Sequence, residues 1–209
     1  MDDTKLRERM KALSSSALSD ALDQLGAPGE LYGIKRMCGS GTVCGPAYTA
    51  SYEAFDGKGG LGDFVGNAAP GQILVLDNRG RTDCSVWGDL TSLYASVRGI
   101  EAVVIDGAFR DVDGVERTGF PVFSRGSSMT TGKGRVKFAR SGVAVTVCGK
   151  TIRPGDWIFG DGSGVLVIPA VLAERACELA EARERRDELI AQAVRSGIPL
   201  SEALRNAVK

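Results

Sequence analysis

Apolar positions first recur along the chain at helical spacing. Leu6, Met10, Leu13, Leu18, Leu22 and Leu25 predict a helical region over residues 4–25. Ser16 or Ser19 is placed to cap a second helix, which stops at Gly26 ahead of Pro28. The pattern then changes. Residues 34–53 are rich in Gly, Val, Thr and Tyr, and VCGPAYTASYE reads as a strand entered through a Gly-Pro turn. Residues 56–71 are Gly-rich around a short apolar patch and predict a loop with a helical turn. QILVLDN is a continuous apolar run ending in Asp-Asn, the mark of a buried strand. Residues 88–98 read as a helix, EAVVIDG (101–107) as a second buried strand, Val112–Thr118 as a short helix and PVFSRG as a third strand.

From residue 143 the pattern is β in character. VAVTVCG, a turn at Lys150 and TIRPGDWIFGDGSGVLVIP fit short hairpin strands separated by Gly-Asp turns. Residues 170–195 predict a long charged helix with Leu172, Ala176, Leu179 and Ile190 on its apolar side, and a tail starts at Gly197. The arginines of 180–186 sit among glutamates, which fits a solvated helix face laced by i,i+4 pairs. No linker, repeat or low-complexity stretch interrupts the 209 residues, a length that suits one domain.

Composition narrows the chemistry. The 26 basic and 26 acidic side chains cancel, which argues against nucleic-acid or membrane-surface binding driven by bulk charge. The start, MDDTKLRERM, lacks the apolar segment of a secretory signal, and no apolar run approaches the roughly 20 residues needed to span a bilayer, so a cytoplasmic protein is expected. Cys38, Cys44, Cys84, Cys148 and Cys177 form no CxxC pair and read as small buried hydrophobes rather than reactive thiols. Histidine is absent. That removes Ser-His-Asp and Cys-His nucleophile systems, His ligands and His bases. A metal site would have to use carboxylates, which favour hard ions such as Mg²⁺ or Mn²⁺.

The densest candidate chemistry lies in WGDLTSLYASVRGIEAVVIDGAFRD (87–111). Asp89 suits a helix N-cap, and the helix stops at Gly99 before a strand that must run back alongside it. Nine helical residues cover about 14 Å, and five strand residues about 16 Å. The strand end therefore returns to the helix start, bringing Asp89 beside Arg110 and Asp111 across twenty intervening residues. Free N–H groups at a helix start bind a carboxylate. Arg110 can add a charge-assisted pair to such an anion. Asp89 and Asp111 can hold a hard cation directly or through water. A cation chelated by a 2-oxo acid stabilises the enolate formed when a C–C bond breaks. No lysine lies within the cluster for a Schiff base.

Plainer readings exist for each part. Asp89 alone is most often a cap, Asp106 a turn former at a strand end, and an Arg-Asp pair a surface ion pair. GKGGLG lacks the Lys-Ser/Thr ending of a phosphate-binding P-loop and reads as a flexible loop.

Asp89, twenty residues and then Arg110-Asp111 resembles the D-x20-R-D signature of the class II 4-hydroxy-4-methyl-2-oxoglutarate / 4-carboxy-4-hydroxy-2-oxoadipate aldolases, whose relatives include the RraA-type regulators of RNase E. GTVCGPAYTA, APGQILVLDN, VWGDL, RGIEAVVIDGAFRDVDGVERTGFPVFSRG and IRPGDWIFGDGSGVLVIP resemble family segments in the same order, from about Gly41 to Pro169, with weaker likeness in the helical ends. The resemblance implies an α/β fold, a β/β/α sandwich of the swivelling phosphohistidine-domain type. This would be a single compact domain with flanking helical ends (4–25 and 170–195), assembled as a homotrimer or hexamer. It implies that the amides of Gly88, Asp89, Leu90 and Thr91 hold the pyruvyl carboxylate and that Arg110 binds substrate oxygens. Asp111 would ligate Mg²⁺ or Mn²⁺, and Asp89 would orient water on the metal. The expected activity is cleavage of a C3–C4 bond in a 2-oxo acid through a pyruvate enolate, with oxaloacetate decarboxylation alongside.

The regulator branch of the family usually has Gly where this chain has Asp89, so Asp89 favours an enzyme over a non-catalytic, protein-binding regulator. Two features depart from the family pattern. The segment 60–69 lacks the His that many relatives carry there. The acidic residue that family enzymes borrow from a neighbouring subunit's C-terminal helix has three candidates, Glu184, Asp187 and Glu188. Both departures leave room for a lyase acting on an unusual substrate at the same metal site.

Overall fold

The structure, a computed structural model, describes residues 3–57 and 60–207. Lys58 and Gly59 of the Gly-rich loop lie outside them. The chain opens with helices α1 (Asp3–Lys11) and α2 (Ser15–Gln24). Strands β1 (Lys35–Cys38), β2 (Val43–Ala54) and β3 (Ile73–Ser85) follow, with a 3-10 turn at Val65–Asn67. Next come α3 (Asp89–Val97), β4 (Ala102–Phe109), α4 (Val112–Thr118) and β5 (Val122–Ser127). Then β6 (Val136–Ser141), β7 (Val145–Val147), β8 (Lys150–Ile152), β9 (Trp157–Gly160) and β10 (Val165–Ile168) lead into α5 (Ala173–Arg195) and α6 (Leu200–Asn206). The class is α/β, as the resemblance implies.

One mixed sheet, in the order β1-β5-β4-β3-β2-β9-β10, carries the fold, with β6 also on β2. Strands β2 to β5 pair in parallel, and β3-α3-β4 and β4-α4-β5 are crossover units. The sheet curls nearly closed. Residues 29–31 extend the edge beyond β10 through the Glu30–Leu166 bridge, and the chain then runs into β1 at the other edge.

Period-two alternation sorts the strand residues. Ile73, Val75, Ala102, Val104, Phe123, Ile158, Val165 and Val167 fill the inside of the curl. Leu74, Leu76, Val103 and Ile105 face outward under α3 and α4. Phe159, Leu166 and Ile168 face outward under α1, α2 and α5, so both helical ends dock on the same side.

Several expectations are corrected. Ser14 caps α2, its hydroxyl accepting from the Ala17 N–H; neither Ser16 nor Ser19 does so. Gly45 and Pro46 do not form a turn: they lie inside β2, paired with Ile158 and Trp157 of β9. The strand after Gln72 does not end at Asp77-Asn78. Arg79 and Gly80, both at positive φ, kink it, and it continues to Ser85. Cys148-Gly149 forms the β7–β8 turn, whereas Lys150 already belongs to β8. Leu172 sits in a 3-10 turn before α5, and the tail holds α6. Neither β1 nor β6 was expected. Four cysteines are buried as expected, and Cys148 is half-buried.

Asp106 is likewise no turn former at a strand end. It lies within β4, buried, where it accepts from Arg125 Nε and from the Cys148 N–H (3.1 Å). No helix among the described residues is long and apolar enough to cross a membrane.

Candidate active site

The parallel strands deliver three side chains to one edge. After β3 ends, Val86 donates its N–H to Ala108 O (3.1 Å) and Trp87 O accepts from the Arg110 N–H (3.0 Å). The approach to α3 is therefore zipped onto the end of β4. Trp87 is locked in turn. Its Nε1 donates to Ser92 Oγ (2.7 Å), Ser92 Oγ donates to Gly88 O (3.0 Å), and the indole stacks on Phe120. The starts of α3 and α4 thus lie side by side at the carboxyl ends of parallel strands, the usual place for ligands in such sheets.

Two glycines permit the approach. A Cβ on Gly88 would stand 2.8 Å from Asp111 Oδ2 and 3.4 Å from Arg110 Cγ. A Cβ on Gly114, in the first turn of α4, would stand 2.8 Å from Asp89 Cβ and 2.9 Å from Asp89 Oδ2. Asp89, Arg110 and Asp111 therefore converge, as the lengths of helix and strand predict. Gly114 escaped the sequence reading, because nothing local announces how closely two helices approach.

Details differ from expectation. Gly88, not Asp89, is the N-cap; Asp89 is the first helical residue, and its Oδ1 accepts from the Leu90 N–H (2.7 Å). Of the expected carboxylate-binding amides, Leu90's is thus engaged. Those of Gly88, Asp89 and Thr91 make no hydrogen bond among the described residues. Asp111 caps α4 in the left-handed region (φ 59°, ψ 42°). Asp tolerates that conformation better than most residues, yet it costs of order 1 kcal/mol and is found where function holds a residue in place. Arg110 Nε lies 3.2 Å from Asp111 Oδ2, with side-chain exposures of 41% and 40%, so both heads remain reachable from solvent.

The donor set suits a hard cation. Asp89 and Asp111 offer oxygen only, and no group of three or more His, Cys, Asp or Glu side chains clusters for a metal among the described residues. Two carboxylates at most match an ion that keeps several waters, as Mg²⁺ does. Of the acidic candidates on α5, Glu184 accepts from Ser14 N–H and Oγ, and Glu188 pairs with Arg195. Asp187 makes neither a hydrogen bond nor an ion pair among the described residues; it lines an apolar groove with Ile190, Val194, Leu200 and Leu204.

Comparison with known proteins places the chain among relatives. The family model described as RraA-like, Aldolase/RraA, matches residues 15–167. Protein DlpA of Legionella pneumophila is 36% identical over 202 residues, covering 95% of this chain, which spans only about a third (33%) of that relative's length. A Halalkalibacterium halodurans protein provisionally named 4-hydroxy-4-methyl-2-oxoglutarate aldolase is 30% identical, covering 91% of this chain and 89% of its own. A crystal structure of an uncharacterized Pseudomonas syringae protein superposes with a TM-score of 0.89 at 36% identity over 96% of both chains. That of Streptomyces coelicolor RraAS2, titled an unusual member of the RNase ES inhibitor RraA family, gives 0.82 at 25% identity, over 89% of this chain and 95% of its own. Aldolase-named lyases and RNase-inhibitor relatives thus both surround this chain, which belongs to the RraA-like Aldolase/RraA family.

Proposed function

We propose that this chain is a divalent-metal-dependent lyase that cleaves the C3–C4 bond of a 2-oxo acid to release pyruvate, and that it also decarboxylates oxaloacetate. The observation that carries this reading is the convergence of Asp89, Arg110 and Asp111 at the open start of α3. The Gly88, Asp89 and Thr91 amides face an incoming carboxylate with the positive end of the helix behind them. Arg110 donates to the 2-oxo oxygen and stabilises the negative charge that develops there as the C3 bond breaks. Asp111 would hold the cation, Mg²⁺ or Mn²⁺, with Asp89 beside it. When bound, the cation supplies Lewis-acid stabilisation of the enolate.

Retro-aldol cleavage also requires removal of the C4 hydroxyl proton. Asp89 Oδ1 is occupied by Leu90, so Oδ2, or a water held on it, is the acceptor available in a chain with no histidine. Decarboxylation needs no such base, so oxaloacetate and an aldol substrate separate the two roles of Asp89.

Homo-oligomers, trimers or hexamers, complete the reading. Leu90, Leu93, Tyr94 and Val97 stand exposed along one face of α3, immediately beside the site. The α5–α6 groove is a second apolar face elsewhere on the chain. Two different patches on one chain suit a head-to-tail ring, in which Asp187 of one subunit reaches the site of the next.

The test is pyruvate release from oxaloacetate with Mg²⁺. Chelator should abolish it, and Asp111→Ala should lower turnover by at least about 10²-fold. Activity indifferent to chelator, or a fully active variant, would overturn the assignment. A regulator of the RNase-inhibitor type would instead be inert toward 2-oxo acids and would hold a protein partner; Asp89, in place of the regulators' Gly, favours the enzyme.

A further inference from the structure

The candidate active site occupies the ends of β3 and β4. A second group of charged side chains lies on the inner face of the same strands. The alternation that fills the curl with Ile73, Val75, Ala102, Val104 and Phe123 continues, two residues further on, to Asp77, Asp106 and Arg125. These three, with Arg79, Thr146 and Cys148, line a cavity of about 440 Å³. That is room for a small molecule.

Hydrogen-bonding capacity in this cavity is unevenly used. The carboxylates are engaged. Asp106 accepts from Arg125 Nε and from the Cys148 N–H (3.1 Å). Asp77 accepts from the backbone N–H groups of Arg79 (2.9 Å) and Thr146. The donors are not. Arg125 Nη2 donates to Cys148 Sγ (3.2 Å), while its Nη1 makes no hydrogen bond among the described residues. The Arg79 guanidinium makes neither hydrogen bond nor ion pair among them, although its backbone is fixed at φ 55°. Arg125 is held rigidly by its pair with buried Asp106.

We propose that this cavity is a second binding site, for a small oxyanion, carboxylate or phosphate, held between the guanidinium groups of Arg79 and Arg125. Planar N–H forks match the two oxygens of such a group. The lining charges, two Asp and two Arg, sum to zero. The attraction is therefore local, from the spare N–H groups, rather than a long-range field. The site is separate from the proposed catalytic one, because Asp106 turns into the curl whereas Arg110 and Asp111 follow the end of the same strand.

Cys148 reports on occupancy, since it lines the cavity half-buried while the other four cysteines are buried. Burial pushes the Cys148 thiol up, so the experiment alkylates the full chain with iodoacetamide at about pH 9.5 over an extended time course and reads Cys148 by mass spectrometry. The anions used are inorganic phosphate and malonate, each without added metal. Either anion should slow Cys148 alkylation at saturation. Arg79→Asn, which suits the left-handed backbone, and Arg79→Lys, which keeps the charge without the fork, should raise the half-protecting concentration roughly tenfold. Arg110→Gln should leave protection intact, which keeps this result independent of the proposed catalytic site. Protection by one anion alone assigns carboxylate or phosphate. No protection by either, protection unchanged in both Arg79 variants, or protection lost in Arg110→Gln would each overturn the proposal.

Discussion

Two Asp-Arg pairs, one inside β4 and one just past its end, use the same chemistry in opposite ways. Asp106 is buried, its side chain 6% exposed against 29% for Arg125, and both its oxygens are hydrogen-bonded within the chain. Arg110 and Asp111, four and five residues on, are about 40% exposed and touch each other at 3.2 Å. The first pair is consumed by the fold: a carboxylate removed from water must be answered by a fixed cation. The second is stabilised little by its own contact, and it is nonetheless held in register by Trp87, Gly88 and a left-handed Asp111. A pair that the fold does not need but does position is free to bind with both its members, whereas the buried pair leaves only outer N–H groups of Arg125 to spare.

The sharpest way to break this comparison is to neutralise each aspartate. Asp106→Asn leaves Arg125 without its anion and should cost about 3 kcal/mol, read as a lower urea midpoint. Asp111→Asn should change the unfolding free energy by no more than about 0.5 kcal/mol while removing pyruvate release from oxaloacetate. Equal stability losses in the two variants would erase the distinction. A smaller effect on stability, with a large one on turnover, is expected from Gly88→Ala. The backbone there is extended (φ −163°), so alanine is not strained, but its Cβ would stand 2.8 Å from Asp111 Oδ2. Displacing that oxygen by a few tenths of an ångström should lower turnover about 10²-fold, with unfolding free energy changed by less than about 1 kcal/mol.

The convergence of Asp89 with Arg110 and Asp111 was legible because it follows from local lengths: a short helix and a strand that must return beside it. The openings of β3, β4 and β5 were legible because the first residues of each are buried on both faces. Asp106 was not, although one signal was present. AVVIDGAF is buried at every position of β4, so its Asp had to lie within a strand rather than at its end. Its partner Arg125 is set by the register of β4 with β5, a non-local fact. The same holds for β6, which closes on the second half of β2 from more than 80 residues away, and for Pro46, whose place inside β2 depends on β9. The cap at Ser14 escaped because Glu184, far along the chain, fixes that serine as well.

A third ion pair lies between the two extremes and tests how burial grades their contributions. Arg9 on α1 donates to both oxygens of Glu181 (2.7 and 3.0 Å) and also to Glu174, pinning α1 to α5 at the side remote from β4's end. Arg9 and Glu181 are 28% and 27% exposed, between the two β4 pairs. The Arg9 guanidinium holds the Glu181 carboxyl below the usual carboxylate range. A carboxyl lowered in the folded state stabilises fully above its unfolded value, near 4.5, and the contribution disappears as pH falls through the lowered folded value. Arg9→Gln should therefore reduce stability at pH 7 by no more than about 1 kcal/mol, roughly 2–4 °C in melting temperature for a chain of this size. The difference from the parent should vanish on acidification below that window. A loss that persists at low pH would instead belong to the packing of the Arg9 stem against α5, and the ranking of the three pairs by burial would then rest on β4 alone.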